Sequence, residues 1–439
     1  MFTQIHILMI DFKKGSKKIL NAWAFYDWAN SVYSLTIVSS IFPLFIGAYI
    51  KSQGVDKIAA FGVEISHTAL ITYITAIGFL IVSIISPILS GIADFKGNKK
   101  FFLRFFCYMG SFSCIALYFF SLEYIYVSLL FYVLALVGFW GSLVFYNSYL
   151  PDIAYKEQQD AISAKGYSLG YIGSVLLLLI NLAMILSAPE GQAIQMMRYS
   201  FVLVGVWWFG FSHYTYKYLP SFTNGNKVSK NVLWNGFKEI KTVWRELQTQ
   251  LKLKKYLAAF FVYSMAVQTV MLVASFFGEN EIAWSEHGID KTLGLIISIL
   301  IIQLIAVAGA FLTSYVSNKI GNINTLIIIN FIWIAICVFA YFVVSPYEFF
   351  ITAGVVGLVM GGIQSLSRST YAKFLPETKD TTSYFSFYDV SEKIGIVIGM
   401  FIFASVEVIT GSMRNAILFL VAFFLIGVIL LFKVPQKIK

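Results

Sequence analysis

The chain has 439 residues, of which 59% are hydrophobic, 18% aromatic and only 12% charged, with a formal net charge of +10. Soluble domains carry roughly 25% charged residues, so this composition excludes a soluble globular protein and points to a chain that lives in a bilayer. Nor is a disulfide or metal framework implied, because Cys107, Cys114 and Cys337 all fall inside apolar runs.

A helix needs about 20 predominantly apolar residues to cross a ~30 Å hydrocarbon core. Runs of that length predict spans near Trp28–Ile50, Thr68–Gly91, Phe101–Leu122, Tyr124–Leu150, Gly166–Ser187 and Tyr199–Leu219. A second set is predicted near Tyr256–Phe277, Thr292–Ser317, Thr325–Val344, Glu348–Arg368, Phe385–Val408 and Asn415–Phe432. Phe2 to Ile10 has neither a preceding basic residue nor a following small-residue cleavage pattern, so the first span is expected to be its own insertion signal. The fold expected is all-α and integral to the membrane, with twelve transmembrane helices in two six-helix halves, 1–219 and 256–439.

Lysines and arginines set the orientation. With both termini cytoplasmic, 26 of them fall in the inside segments against 5 outside, with Lys393 inside a span. That asymmetry accounts for the net charge through anionic lipid headgroups and needs no nucleic acid. The long polar break, 220–255, separates the halves. Within it Leu233, Phe237, Ile240, Trp244, Leu247 and Leu251 recur at three and four residues, which predicts an amphipathic helix in the cytoplasmic interface.

The halves echo one another. Tyr149-Leu-Pro-Asp152 follows the fourth span and Phe374-Leu-Pro-Glu377 the tenth; Asp94-Phe-Lys-Gly-Asn98 ends the second and Asn318-Lys-Ile-Gly-Asn322 the eighth. Such matches at equivalent places suggest duplicated halves around a midplane site.

The segment Gly91-Ile-Ala-Asp-Phe-Lys-Gly-Asn-Lys-Lys100 resembles the signature loop between the second and third helices of the major facilitator superfamily, keeping Gly91, Asp94, Gly97, Lys99 and Lys100 but placing Phe95-Lys96 after the aspartate. Tyr26-Asp-Trp-Ala-Asn-Ser-Val-Tyr33 with Ile41-Phe-Pro-Leu-Phe45 resembles the first helix of the autophagy-type vacuolar amino-acid effluxers and their bacterial relatives, the "unknown major facilitator" branch. Tyr146-Asn-Ser-Tyr-Leu-Pro-Asp152, Gly361-Gly-Ile-Gln-Ser-Leu-Ser-Arg-Ser369 and Phe387-Tyr-Asp-Val-Ser-Glu-Lys-Ile-Gly395 are similar to the same branch's fourth, tenth and eleventh helices. The resemblance implies the major facilitator fold, alternating access, amino-acid-like substrates and a bacterial-type plasma membrane, with a monomer as the default.

Charges inside a span cost at least ~2.5 kcal/mol each on insertion scales and so mark cavities or partners. Asp27, Arg368, Asp389, Glu392 and Lys393 share one predicted depth, in the cytoplasmic third. One reading makes them, with Asp94, a gate or coupling set in which Asp27 and Asp94 face Arg368 and Lys393 across the halves in the outward-open state. The bland readings stay open beside it. Asp27 could cap the first helix, Asp389, Glu392 and Lys393 could pair locally within a turn, and Arg368 could snorkel to the surface. Tyr26, Asn30, Tyr33, Asn147, Gln268 and Gln364 are the candidates for substrate binding, although each could equally bridge helices.

No glycine-rich nucleotide loop, paired-histidine zinc motif or Gly-x-Ser-x-Gly elbow occurs, which argues against a pump or an enzyme. The expectation is a secondary active transporter of amino acids or similar small polar solutes, coupled to protons and without a bound cofactor or metal. The alternatives are an exporter of amphipathic drugs or lipids, or a non-transporting receptor or scaffold.

Overall fold

The computed structural model describes residues 13–55, 57–221 and 232–435, apart from the side chains of 232–237 and 239. Helices dominate: α1 (Lys17–Ser52), α2 (His67–Lys96), α3 (Lys99–Phe119), α4 (Ile125–Ile153) and α5 (Lys156–Leu186) are followed by α6 (Ala193–Tyr218) and α7 (Val232–Thr249). Then come α8 (Leu251–Glu281), α9 (Lys291–Ile320), α10 (Asn322–Ala340), α11 (Pro346–Phe374), α12 (Thr381–Thr410) and α13 (Met413–Phe432). Eleven of these, all but α6 and α7, are long and apolar enough to cross a membrane. At 26 residues α6 is also long enough, though it carries Arg198, His213 and Lys217, and it packs beside α1 and α3. A two-stranded hairpin, β1 (Ile58–Ala60) and β2 (Val63–Ile65), lies between α1 and α2.

The helices outrun the apolar stretches: α1 begins at Lys17 rather than Trp28, α5 at Lys156 rather than Gly166, and α11 ends at Phe374 rather than Arg368. Hydropathy marks the part that suits hydrocarbon, whereas backbone hydrogen bonding continues until something ends it. Gly97 ends α2 in the left-handed region (φ 71°), and Ser345 with Glu348 forms a capping box at the start of α11. Within α1, Tyr33–Ser40 is π-helical. Pro43 sits in the turn that follows and cannot donate a backbone hydrogen bond, which favours a widened turn before it.

In the first half α1 packs on α5 and α6, and α4 on α3 and α2; in the second, α9 packs on α11, and α13 on α8 and α10. The halves meet where α5 lies against α9 and α11 and where α12 lies against α2 and α4. One end of the molecule carries the connections at 97–98, 154–155 and 375–380, bordered by Lys96, Lys99, Lys100, Lys156 and Lys373 with Lys379 inside the last, and is called the basic end below.

The linker helix α7 finds protein for its apolar face. Val243 and Leu247 are buried, α7 packs along α2, the Trp244 ring lies 5.5 Å from that of Phe387 on α12, and Tyr384 donates to Glu246 at 3.1 Å. It therefore bridges both halves at the basic end, and Trp244 stays half-exposed beside Phe387. Leu251, expected on the same apolar face, opens α8 instead and is exposed; the side chains of Leu233 and Phe237 lie outside those described.

Small residues set the α9–α11 crossing. A Cβ on Gly309 would run into the backbone of Leu358, and one on Gly361 into the backbone of Ala306. Gly361→Val is therefore expected to cost about 1–3 kcal/mol through overpacking, read as a lowered unfolding midpoint of the detergent-purified protein. An unchanged midpoint would show that the crossing has slack.

Candidate functional site: the junction of the two halves

Arg368 comes from α11, in the second half, yet its partners are almost all in the first. Nη1 and Nη2 each donate to Asp27 Oδ2 at 3.2 Å, Nη1 to Asn147 Oδ1 at 3.3 Å, Nε to Ser163 Oγ at 2.9 Å and Nη2 to the Ser163 carbonyl at 3.0 Å. The guanidinium also lies 4.2 Å from the centre of the Tyr167 ring and 4.8 Å from that of Trp23. Tyr146 donates to the same Asp27 oxygen at 2.9 Å. Both charges are buried, with side-chain exposures of 2% and 6%, so neither is a snorkelling group or a surface cap. Asp27 can reach Arg368 because α1 and α5 pack closely: a Cβ on Gly166 would overlap the carboxylate.

Two further junctions flank this pair, and each uses one of the duplicated loops. Asp94, at the end of α2, accepts from the backbone N–H groups of Thr382 (3.2 Å) and Ser383 (2.6 Å) in the first turn of α12, where the helix dipole favours an anion. Lys99 pairs with Asp152 and donates to the Ser148 carbonyl and to Thr381 Oγ1, both at 3.1 Å. In the counterpart, Asp160 near the start of α5 accepts from Asn322 Nδ2 (2.9 Å) and Ser317 Oγ (3.2 Å) and pairs with Lys373. Gly97 supplies the left-handed turn of the first loop and Gly91 is buried within α2, whereas Lys100 points away and donates to the Leu219 carbonyl at 2.7 Å.

The expected pairing of Asp94 with Arg368 or Lys393 does not form. Lys393 is fully buried and pairs with Asp389 and Glu392, one turn or less away on its own helix, which shortens the reach to a partner more than any neighbouring helix could. Toward the first half, its ammonium lies 3.9 Å from the centre of the Trp140 ring. Gln268 donates to Glu392 at 2.8 Å, and Gln364 accepts from Tyr171 across the halves at 2.7 Å. Tyr26, Asn30 and Tyr33 are buried, and the rings around the two tyrosines (Tyr146 and Tyr216, Phe139 and Trp208) all belong to the first half.

Ser163, Tyr167, Trp140, Asp160 and Asn322 were not singled out from the sequence. The only signal for any of them was the loop repeat, in which Asn322 stands where Asn98 does. Along α5, the polar contacts between the halves run from Asp160 through Ser163 to Tyr171, near the helix midpoint. The arrangement can hold the halves together at the basic end and release them only if several buried charges change partners. Lys393→Gln would leave the buried Asp389 and the partly buried Glu392 without their cation, so it is expected to cost about 3–5 kcal/mol of stability. Glu392→Gln in the same chain should restore part of it, read as the unfolding midpoint; no difference between the two variants would deny the coupling.

The Vacuole effluxer Atg22-like family model matches residues 15–438. The MFS-type transporter YxiO of Bacillus subtilis (strain 168) is 31% identical over 422 residues, covering 95% of each chain. Autophagy-related protein 22-2 of Neosartorya fischeri is 22% identical, covering 88% of this chain and 77% of its own. Among solved structures, the E. coli fucose:proton symporter FucP superposes with a TM-score of 0.68 at 15% identity, over 96% of this chain and 98% of that one. The human organic anion transporter MFSD10 (TETRAN) superposes with a TM-score of 0.67 at 11% identity, over 95% and 100%. These structures share the fold of the major facilitator superfamily, a multi-pass membrane architecture of transporters rather than enzymes. The chain belongs to the Vacuole effluxer Atg22-like family, as a membrane transporter of that superfamily.

Proposed function

We propose that this transporter is a secondary active porter working by alternating access, that its basic end is cytoplasmic, and that the state described is outward-facing. The observation that carries the reading is Arg368, a cation of the second half enclosed by Asp27, Asn147 and Ser163 of the first. Its enclosure, with the Asp94 and Asp160 junctions, seals the basic end and must come apart for that end to open. The lysines in and beside the connections at this end favour the cytoplasmic assignment. Amino acids or similar small polar solutes are the proposed cargo, on the resemblance of the first, fourth, tenth and eleventh helices to the amino-acid effluxers; proton coupling is supported by the buried carboxylates Asp27 and Asp389, by the partly buried Glu392 and by fold neighbours that are proton symporters for fucose and xylose.

In proteoliposomes, at least one of a pool of radiolabelled amino acids and dipeptides is expected to accumulate under a pH gradient and to exchange in counterflow, with accumulation lost in Asp27→Asn. Absence of flux for every solute would overturn the cargo. For the gate, Gln159→Cys in a background with Cys107, Cys114 and Cys337 replaced by Ser places a thiol at the closed basic end. Arg368→Gln is expected to raise its labelling by a soluble maleimide about tenfold, corresponding to a shift of about 1.4 kcal/mol. Equal labelling in both backgrounds would remove the gate role.

A further inference from the structure

The inward-facing cations of the basic end have carboxylate partners, as Lys99 has Asp152, Arg368 has Asp27 and Lys373 has Asp160. On the outer flank of the same basic end, away from the junction of the halves, four other cations converge on the last turn of α6 without an acidic partner among the described residues. Lys18 of α1 lies 4.4 Å from the Tyr218 ring and Lys217 lies 5.5 Å from the same ring. Arg104 of α3 stacks 5.6 Å from Tyr216, and Lys100 donates to the Leu219 carbonyl at 2.7 Å. The C-terminal dipole of α6 accounts for Lys100. It does not account for the other three, which reach rings rather than carbonyls and repel one another.

Above the cations the surface turns apolar. Phe101, Phe105 and Phe112 fall on one stripe of α3 and are each at least half exposed. Arg104 borders this stripe, between Phe101 and Phe105 along the axis, five residues past Lys99 and so about 7.5 Å up the helix at 1.5 Å per residue. An anion with hydrocarbon attached matches both features, whereas a soluble anion leaves the phenylalanine stripe unexplained.

We infer that the foot of α1, α3 and α6 is a binding site for one anionic phospholipid, its phosphate held among Lys18, Arg104 and Lys217 and an acyl chain lying along the phenylalanine stripe of α3. Lys100 ties the end of α6 in place beneath it. The lipid occupies a face remote from the junction of the halves, so the inference stands apart from the identity of the cargo.

The test uses the full chain in detergent micelles, titrated with phosphatidylglycerol or phosphatidylcholine, with bound lipid counted by native mass spectrometry and the unfolding midpoint followed in parallel. Each Lys or Arg near an anionic headgroup is worth roughly fivefold in affinity, so Arg104→Gln/Lys217→Gln is expected to weaken phosphatidylglycerol binding about 25-fold. Lys319→Gln/Lys433→Gln removes the same charge elsewhere and is expected to leave it unchanged; a midpoint in phosphatidylcholine equal to that of the parent confirms that each variant is folded. Equal loss in both double variants, or no preference of the parent for phosphatidylglycerol, overturns the site. Inorganic phosphate reproducing the midpoint shift overturns the lipid in favour of a free-anion site.

Discussion

The structure depends on one guanidinium. Arg368 carries a full charge to a depth where water is scarce, and every donor aimed at the first half finds an acceptor there: Asp27, Asn147 and Ser163. Such a pair adds little net stability, because desolvating both charges offsets most of their attraction. Its influence lies in what happens when the partners separate, since a lone buried charge is far costlier than the pair. Closure at the basic end is thus stabilised less by the strength of the contact than by the absence of a good alternative for either side.

The flanking junctions follow from duplication with a change of chemistry. Asp94 is held by backbone N–H groups at the start of α12, an acceptor that needs no side-chain partner. Its counterpart reverses the polarity: the carboxylate, Asp160, sits near a helix start, and the donors Ser317 and Asn322 come from the end of α9 and the first residue of α10. The same pseudo-symmetric position is filled in both halves, but one junction draws on a helix dipole and the other on side chains and Lys373. The linker helix adds a third bridge on the α2–α12 side, so separation at the basic end also has to move α7 or slide past it.

The apolar spans, the all-helical major facilitator fold and the basic end were legible because hydropathy and charge asymmetry are one-dimensional signals. Asp27 and Arg368 stood out because charges in apolar runs are rare. What sequence does not carry is which stripe of a helix meets which neighbour. Tyr26, Asn30 and Tyr33 recur at four and three residues, one stripe of α1, and that stripe enters the first half's own bundle. Asp27, turned by about 100° from Tyr26, lies against α5 and the junction. Ser163 and Trp140 escaped notice for a related reason: a serine or tryptophan in a span reads the same whether it faces lipid, its own bundle or the other half. For Lys393 the sequence left a distant partner and local pairing both open, and the local pairing forms, because acids one and four residues before it are nearer.

Opening the basic end requires something that binds the open arrangement better than the closed one, since a ligand with no preference shifts nothing. A ligand that acts on this balance has to touch groups whose environment differs between the two arrangements. Near mid-depth these are the Tyr171–Gln364 hydrogen bond and the Lys393–Trp140 contact, where the two halves meet through side chains that are not locked into the deeper network around Arg368. Glu392 is the least buried of the three charges at that level, with 17% of its side chain exposed, and it is tied to both Lys393 and Gln268. Glu392 thus shares Lys393 with Asp389, and Lys393 in turn meets Trp140 of the first half, so under the alternating access proposed above this cluster is where a change of charge or partner would reach a contact between the halves.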